Sequence, residues 1–257
     1  MRAKNKILHY IVYFTLIPTN MKKAIIIPVL LLSSIIVRSQ TDFQYYNIAL
    51  VKYNMSDYEG ALADLTRALD NNPENFSAWV LRGSAKYNLE NYTGAIDDYT
   101  RAIEIIKGEE KKEFKLTIYD QKGNIISSSG TATPDPNLAV PFFNRALSRL
   151  ASGSYHDAVD DFSRALQHGA DEVGTYFNRA IARGNLGEHR EAFEDYTRVL
   201  DFEPDLAQVY YRRGFTGHEL GRHEDACSDW KKALELGFEE AAEPLDLYCN
   251  TESNGSP

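Results

Sequence analysis

The sequence lacks the short motifs that mark the common classes of enzyme. It has no glycine-rich phosphate-binding loop and no GxSxG nucleophile motif, so it does not indicate phosphoryl transfer or serine hydrolysis. His218 and His223 are five residues apart, whereas two zinc-binding histidines on one helix face are four apart. We therefore expect a non-enzymatic protein with no catalytic residues, metal ion, cofactor or small-molecule substrate.

Positive charge is also scarce. The 257 residues include 28 Lys or Arg and 37 Asp or Glu, which gives a net charge of −9. Residues 1–39 hold six of the cations and none of the anions, so the remainder has 22 against 37, a net charge of −15. Proteins that bind nucleic acid or anionic lipid surfaces carry basic patches. We expect neither as a direct partner.

The apolar runs are short and lie near the N-terminus. Met21 begins a basic stretch that is followed by a 14-residue apolar run, residues 24–37, which is shorter than the roughly 20 residues that span a bilayer. This order predicts that residues 1–39 form a signal-peptide region, with Gln40 as the first mature residue. In this interpretation translation starts at Met21, and residues 1–20 precede the true start. In the alternative, residues 7–18 and the second run anchor the chain in a membrane. No cysteine follows the run to support a lipid anchor.

One helical pattern recurs along the rest of the chain. The stretch 176–204 has the apolar spacing of two amphipathic helices, with a turn at Gly187 and a stop at Pro204. Its second helix begins an apolar stripe at Ala192. The equivalent alanines are Ala61, Ala95, Ala158, Ala192 and Ala226, at steps of 34, 63, 34 and 34 residues. The small first-helix residues that would meet this stripe are Ala49, Gly83, Ala146, Ala180 and Gly214.

This period and pattern resemble the tetratricopeptide repeat, a helix–turn–helix unit of about 34 residues. The resemblance implies an all-α fold, a right-handed superhelical array of five repeats with a C-terminal cap helix. Repeats one and two would occupy residues 40–107, and repeats three to five residues 139–238. The cap helix and a polar tail would occupy residues 239–257.

An insert at residues 108–138 accounts for the single longer step. Apolar and polar residues alternate from Phe114 to Tyr119, and a turn cluster and Ile125-Ile126 follow. This pattern predicts a short β-hairpin, followed by a Ser/Thr/Pro linker. The insert is either a tolerated surface loop or an arm that contacts a partner.

The two cysteines are Cys227, in repeat five, and Cys249, at the end of the cap helix. A pair in an exported chain is a candidate disulfide, and two buried free thiols are the alternative. The C-terminal passage also resembles the ending of exported tetratricopeptide repeat proteins of Bacteroidetes-type bacteria.

In the tetratricopeptide repeat family, the first helices line a concave groove that holds a peptide or a partner helix. Aromatic and amide side chains suit such a site, since aromatics offer area and amides can bond a peptide backbone. The predicted groove residues are Tyr46, Asn47, Phe143, Asn144, Phe177, Asn178, Tyr211, Arg212 and Phe215. The family variant that clamps a C-terminal carboxylate is not expected, because Phe143 and Leu147 stand where its Lys and Asn belong.

These features predict a periplasmic or secreted scaffold that binds a protein or peptide in its groove. The alternative is an assembly factor anchored in the membrane, facing the periplasm and docking through the insert.

A final expectation concerns buried charge. Arg82, Arg145, Arg179 and Arg213 recur at one first-helix position, and Asp64, Asp98, Asp161, Asp195 and Asp229 recur at one second-helix position. An unpaired buried charge is costly, and repeat one has Ile48 in place of the arginine. We predict that each arginine pairs with the aspartate of the preceding repeat. In the alternative, each aspartate pairs along its own helix with the cation three residues on.

Overall fold

The computed structural model describes residues 41–113, 118–119, 125–126 and 134–249, and the side chains of 41–108 and 134–249. The predicted signal peptide, much of the insert and the tail lie outside these residues. Within the described part of the chain, no helix is both long and apolar enough to cross a membrane. The chain divides after Ala78 into two compact units.

The first unit contains predicted repeat one. Residues 41–54 form α1 and Tyr58–Asn71 form α2. The Asp57 carboxylate caps α2 by accepting the backbone N–H of Gly60. Ala49, Ala61, Leu65 and Ala68 are fully buried, so the predicted alanine stripe is the core of this unit.

The second unit begins within α3, and its helices follow one another as first and second helices of repeats. They are α3 (Phe76–Asn88), α4 (Tyr92–Glu113), α5 (Ala139–Ala151), α6 (Tyr155–Gln167), α7 (Glu172–Leu186), α8 (His189–Phe202), α9 (Ala207–Glu219) and α10 (His223–Glu235). From α4 to α10, each helix packs against the next one in the chain. Each predicted repeat therefore has its two helices.

The small residues of the first helices let large second-helix aromatics approach the backbone. A Cβ atom added to Gly83 would lie 2.8 Å from the Tyr99 ring, and one added to Gly214 would lie 2.5 Å from Nε1 of Trp230. Trp230 is fully buried and donates its N–H to the Tyr211 carbonyl at 3.2 Å. Glycine at these two positions therefore makes room for Tyr99 and Trp230.

The turn between the two helices of a repeat needs a left-handed residue. It is Gly153 in repeat three, Gly187 in repeat four and Gly221 in repeat five, with φ of 81°, 78° and 73°. In the first two repeats, Ser56 and Glu90 adopt the same conformation, with φ of 62° and 60°. Residues with a Cβ atom are strained there, so the turn is imposed by the helix packing on both sides.

The insert leaves the packing of the repeats intact. Helix α4 continues to Glu113 instead of ending at residue 107, because a run of mostly helix-forming residues replaces the closing proline. Ile118–Tyr119 and Ile125–Ile126 pair as antiparallel strands, with Ile118 opposite Ile126. The rest of the predicted hairpin lies outside the described residues, so the hairpin as a whole stays a prediction. Helix α4 packs directly on α5, so repeats two and three are neighbours.

The C-terminal cap is less regular than the predicted single helix. Glu239–Ala241 is a 3₁₀ turn, Ala242–Pro244 is one helical turn and Leu245–Cys249 is a π-helical turn. A disulfide joins Cys227 to Cys249 across a sequence separation of 22 residues, with 5.8 Å between the Cα atoms. In the chain-entropy model, a loop of that size stabilises the fold by about 3 kcal/mol. The disulfide therefore ties the cap to α10.

The arginine and aspartate positions pair inside each repeat, so the predicted pairing with the preceding repeat is wrong. Arg179 binds Asp195 through two N–H groups, at 2.8 and 2.7 Å. The same forked geometry joins Arg82 to Asp98, Arg145 to Asp161, and Arg213 to Asp229. The crossing of the two helices, which the sequence does not reveal, places these side chains face to face.

Contact with the preceding repeat is made by the third guanidinium nitrogen. Nη1 of Arg179 donates to the Ser163 hydroxyl at 2.9 Å, and Nη1 of Arg213 donates to the Thr197 hydroxyl at 3.1 Å. In repeat one, Lys52 and Arg67 form ion pairs with Asp64 instead, with N–O distances of 2.6 and 3.0 Å. The pair of Arg67 with Asp64 is the along-helix alternative, which is therefore found in repeat one.

A second cation reinforces most of these pairs. Lys86, Arg149 and Arg183 lie one helical turn after the first arginine and bind the same carboxylate, at 2.8, 2.5 and 2.6 Å. In repeat five that position is Gly217. Burial raises the pKa of Asp229, and Arg213 opposes the rise. Repeat five therefore lacks this second charge contact, and it is also the repeat that carries the disulfide.

Candidate functional site

The predicted groove residues all lie on first helices. Tyr46 and Asn47 are half-buried on α1 of the first unit. In the second unit, Phe143 and Asn144 are half-buried on α5, as are Phe177 and Asn178 on α7 and Tyr211 and Arg212 on α9. Phe215, one turn along α9, is 36% exposed. The second unit thus presents several of these side chains on consecutive first helices.

The groove aromatics also pack on the core. The Phe143 ring meets the Phe162 ring edge-on, with centroids 5.8 Å apart, and Phe177 meets Tyr196 in the same way at 6.0 Å. Phe162 and Tyr196 are buried motif aromatics of the second helices. Phe143 and Phe177 therefore each have one edge held by their own repeat, which fixes their orientation before any ligand arrives.

The Asn178 amide is partly engaged. Its Nδ2 donates to the Gly174 carbonyl of the same helix at 2.8 Å. Within the described residues, the second amide hydrogen and the amide oxygen form no further bond, so they remain for other partners. This bond along the helix holds the side chain in place.

A cavity of about 400 Å³ opens in the second unit between the first helices of repeats four and five. Tyr196 of α8 also contributes to its wall. The lining residues are Ile181, Gly184, Asn185, Tyr196, Tyr211, Arg212, Phe215 and Thr216. Three predicted groove residues, Tyr211, Arg212 and Phe215, are therefore brought together in one concavity. Phe143, Asn144, Phe177 and Asn178 are not among its lining residues.

The cavity depends on a missing side chain. Gly184 occupies the position that carries Tyr53, Tyr87, Leu150 and His218 in the other repeats. A Cβ atom added to Gly184 would meet no atom within 4 Å. In repeat four, the space that the larger side chain occupies at this position in the other repeats is therefore open.

Arg212 is the charged residue of the cavity wall. Its Nε is buried and has no hydrogen-bond partner in the described part of the protein. Its guanidinium carbon lies 5.8 Å from the centre of the Phe177 ring, and it shares the cavity wall with Tyr196. Among the described residues no carboxylate forms an ion pair with Arg212, unlike the four paired arginines of the helix crossings.

Tyr196 remains a neutral phenol. Burial raises its pKa to about 12, although the nearby charge of Arg212 partly offsets the rise. At neutral pH the hydroxyl therefore keeps its proton and does not neutralise Arg212. The positive charge at the cavity wall stays available to a ligand.

The predicted groove residues do not include the other five residues of this cavity wall, namely Ile181, Gly184, Asn185, Tyr196 and Thr216. Tyr196 belongs to the apolar stripe that begins at Ala192, and most of its surface is buried. Gly184 carried a usable signal, because the aligned repeats all have a larger side chain at its position. Comparing the repeats for what is absent, as well as for what recurs, would have located the cavity.

The histidines take part in ring contacts. Nδ1 of His218 lies 3.3 Å from Nδ1 of His223, and the His218 ring packs on Tyr248 with centroids 4.3 Å apart. In the described parts of the chain, no three His, Cys, Asp or Glu side chains are grouped so that they could hold a metal ion.

Comparison with known proteins identifies the repeat. A tetratricopeptide repeat family model matches residues 46–110, and a second one matches residues 173–206 and 207–236. The chain is built from tetratricopeptide repeats. Predicted repeat three, between the two matched regions, has the same pair of helices as the matched repeats and the same arginine–aspartate fork as repeats two, four and five.

Solved tetratricopeptide repeat structures share the fold. A crystal structure of MamA protein is 18% identical, has a TM-score of 0.61, and covers 82% of this chain and 97% of its own. MamA from Desulfovibrio magneticus RS-1 is 15% identical, with a TM-score of 0.62, and covers 76% of this chain and 94% of its own. YrrB is described as a tetratricopeptide repeat protein with an unusual peptide-binding site. It is 18% identical, with a TM-score of 0.58, and the match covers 75% of this chain and 84% of the YrrB chain. No curated protein sequence matches the chain significantly.

Proposed function

We propose that this tetratricopeptide repeat protein is a non-enzymatic scaffold that binds a peptide or a partner protein in the groove of its first helices. The cavity between α7 and α9 carries the proposal, because it joins apolar and hydrogen-bonding side chains of two consecutive repeats in one concavity. Ligand sites of this kind are largely apolar, with a few polar groups that fix orientation. The peptide-binding site named for YrrB, which has the same fold, supports the proposal.

The groove aromatics supply the anchors. Phe177 and Tyr211 lie on consecutive first helices, and each packs on a second aromatic ring, Tyr196 or Phe238. A rigid, half-buried aromatic side chain loses little conformational freedom on binding, so its contact with a ligand is retained as affinity.

The test is a pair of substitutions, Phe177→Ala and Tyr211→Ala. Each should weaken binding of the partner by about 1–2 kcal/mol, which is roughly a factor of 5 to 30 in Kd. The partner would first be recovered by proximity labelling in the source cell, and its affinity for the variants would be measured by calorimetry. Circular dichroism should show an unchanged helix content.

The matched control is Phe202→Ala. Phe202 is 52% exposed and ends α8 outside the cavity wall, so its truncation should leave the affinity unchanged. An unchanged affinity in the Phe177→Ala, Tyr211→Ala double variant would place the binding surface elsewhere, with the insert as the next candidate.

We also propose that the protein works in the periplasm or is secreted. The basic and apolar segments before Gln40 support export, and disulfides persist in oxidising compartments. The intact mass of protein from the periplasmic fraction, prepared without reductant, should equal that of residues 40–257 less two hydrogens. A mass that includes residues before Gln40, whether from Met1 or from Met21, would contradict cleavage, and two free thiols would contradict the oxidising location.

A further inference from the structure

We propose that the cavity beside Gly184 binds the carboxylate side chain of an aspartate or glutamate in a peptide that lies along the groove. The inference rests on the proposed function, since it assigns a chemical identity to one position of the bound peptide.

The charge of Arg212 is the first argument. Its neighbours at the cavity are neutral, since it shares the wall with Tyr196 and lies 5.8 Å from the centre of the Phe177 ring. Its buried Nε donates to nothing among the described residues. The adjacent Arg213, in contrast, is fully engaged with Asp229 and Thr197. A carboxylate oxygen is the acceptor that a guanidinium N–H binds most strongly, so the cavity lacks the group that Arg212 would prefer.

The second argument is that two departures from the repeat pattern meet at this cavity. Arg212 stands where repeats three and four have Asn144 and Asn178, and Gly184 stands where the other repeats have a larger side chain. One change adds a positive charge and the other adds space. Both are needed to admit a charged side chain, and both line the same cavity.

The walls show which source of carboxylate fits. A chain terminus held in the groove needs polar donors from neighbouring repeats, and Phe143 and Leu147 occupy the corresponding places in repeat three. Both pack on the apolar cluster around Phe162, so that repeat offers no such donor there. A side-chain carboxylate needs only the local guanidinium, while Ile181 and Phe215 can cover the apolar part of the ligand.

The experiment selects peptides from a random phage-displayed library on the full-length protein. Displayed peptides are fused to the coat protein at their C-terminus, so they offer side-chain carboxylates only. The selected peptides should share an Asp or Glu at one position. The best sequence is then made with blocked ends, together with a copy in which that residue is replaced by Gln or Asn.

The acidic peptide should bind the wild-type protein about tenfold more tightly than its amide copy, because a charge-assisted hydrogen bond is lost. With Arg212→Gln the two peptides should bind equally. Arg198→Gln is the matched control, since the Arg198 side chain is 66% exposed and lies outside the cavity wall, and it should preserve the tenfold preference.

Gly184→Leu is an independent test that uses the residue of repeat three at that position. The added Cβ meets open space, and leucine favours a helix more than glycine does, so the variant should fold with undiminished stability. It should weaken binding of the acidic peptide about tenfold or more by filling the cavity. Unchanged binding would overturn the inference.

Other outcomes separate this inference from the proposed function. Peptides that lose affinity with Phe177→Ala or Tyr211→Ala, but show no acidic preference and no effect of Arg212→Gln, would support the groove and overturn the carboxylate site. The best sequence is also made with a free C-terminus. If that form binds more tightly than the blocked form and loses the gain with Arg212→Gln, the side-chain assignment would be overturned. Failure to select any groove-dependent peptide would contradict both proposals.

Discussion

The arginine–aspartate fork between the two helices of a repeat makes a quantitative prediction about stability. In repeat four, Arg179 binds Asp195 at 2.8 and 2.7 Å, and Arg183 binds the same carboxylate at 2.6 Å. The side chains of Arg179 and Asp195 are only 13% and 4% exposed. Removing one partner of a buried pair leaves the other charge uncompensated, which typically costs 3–5 kcal/mol.

Asp195→Asn should therefore lower the free energy of unfolding by about 3 kcal/mol, because two guanidinium groups lose their counter-charge. Arg179→Met should cost less, about 1–2 kcal/mol, because Arg183 still neutralises Asp195. The double variant should be more stable than the sum of the two losses predicts. The expected coupling energy is about 1.5–3 kcal/mol.

The assay is equilibrium unfolding in urea, followed by far-ultraviolet circular dichroism. Urea is preferred to guanidinium chloride because the salt would screen the ion pair. The control cycle combines Arg179→Met with Asp161→Asn, the aspartate of the preceding repeat. Since Arg179 bonds to Asp195 and not to Asp161, coupling in the control cycle should be below about 0.5 kcal/mol. Equal or larger coupling with Asp161 would refute the pairing within the repeat.

The remaining predictions concern the turn between the two helices. Glu90→Gly should raise the free energy of unfolding by about 0.5 kcal/mol, because relief of a left-handed residue exceeds the entropy that glycine adds to the unfolded chain. Gly187→Glu, the reverse change at the equivalent turn, should lower it by about 1–2 kcal/mol. Urea unfolding measures both, and a destabilising Glu90→Gly would show that the Glu90 side chain, not its backbone conformation, matters.

The helices and their core could be predicted from the sequence because the repeat is written in it several times. Helical spacing of apolar residues fixes which face is buried, and aligned copies such as Ala192 and Ala226 remove the ambiguity of any single copy. The left-handed turn was visible at Gly187, and pairing Cys227 with Cys249 required only that both cysteines be used. These features are local or periodic, so the linear sequence is sufficient to locate them.

The tertiary structure decided what depends on how the helices cross. Arginine and aspartate recur with the same period, so the sequence is equally consistent with pairs inside a repeat and pairs between repeats. Only the crossing of α7 and α8 sets Arg179 against Asp195 and leaves Ser163 of the preceding repeat to the third nitrogen. The proposed carboxylate site likewise depends on the side chain that is absent at Gly184 and on the charge of Arg212, which has no counter-ion among the described residues. A pattern of recurring residues shows which side chains are present, and it does not show a cavity. The cavity forms only when neighbouring helices pack around the position that lacks a side chain.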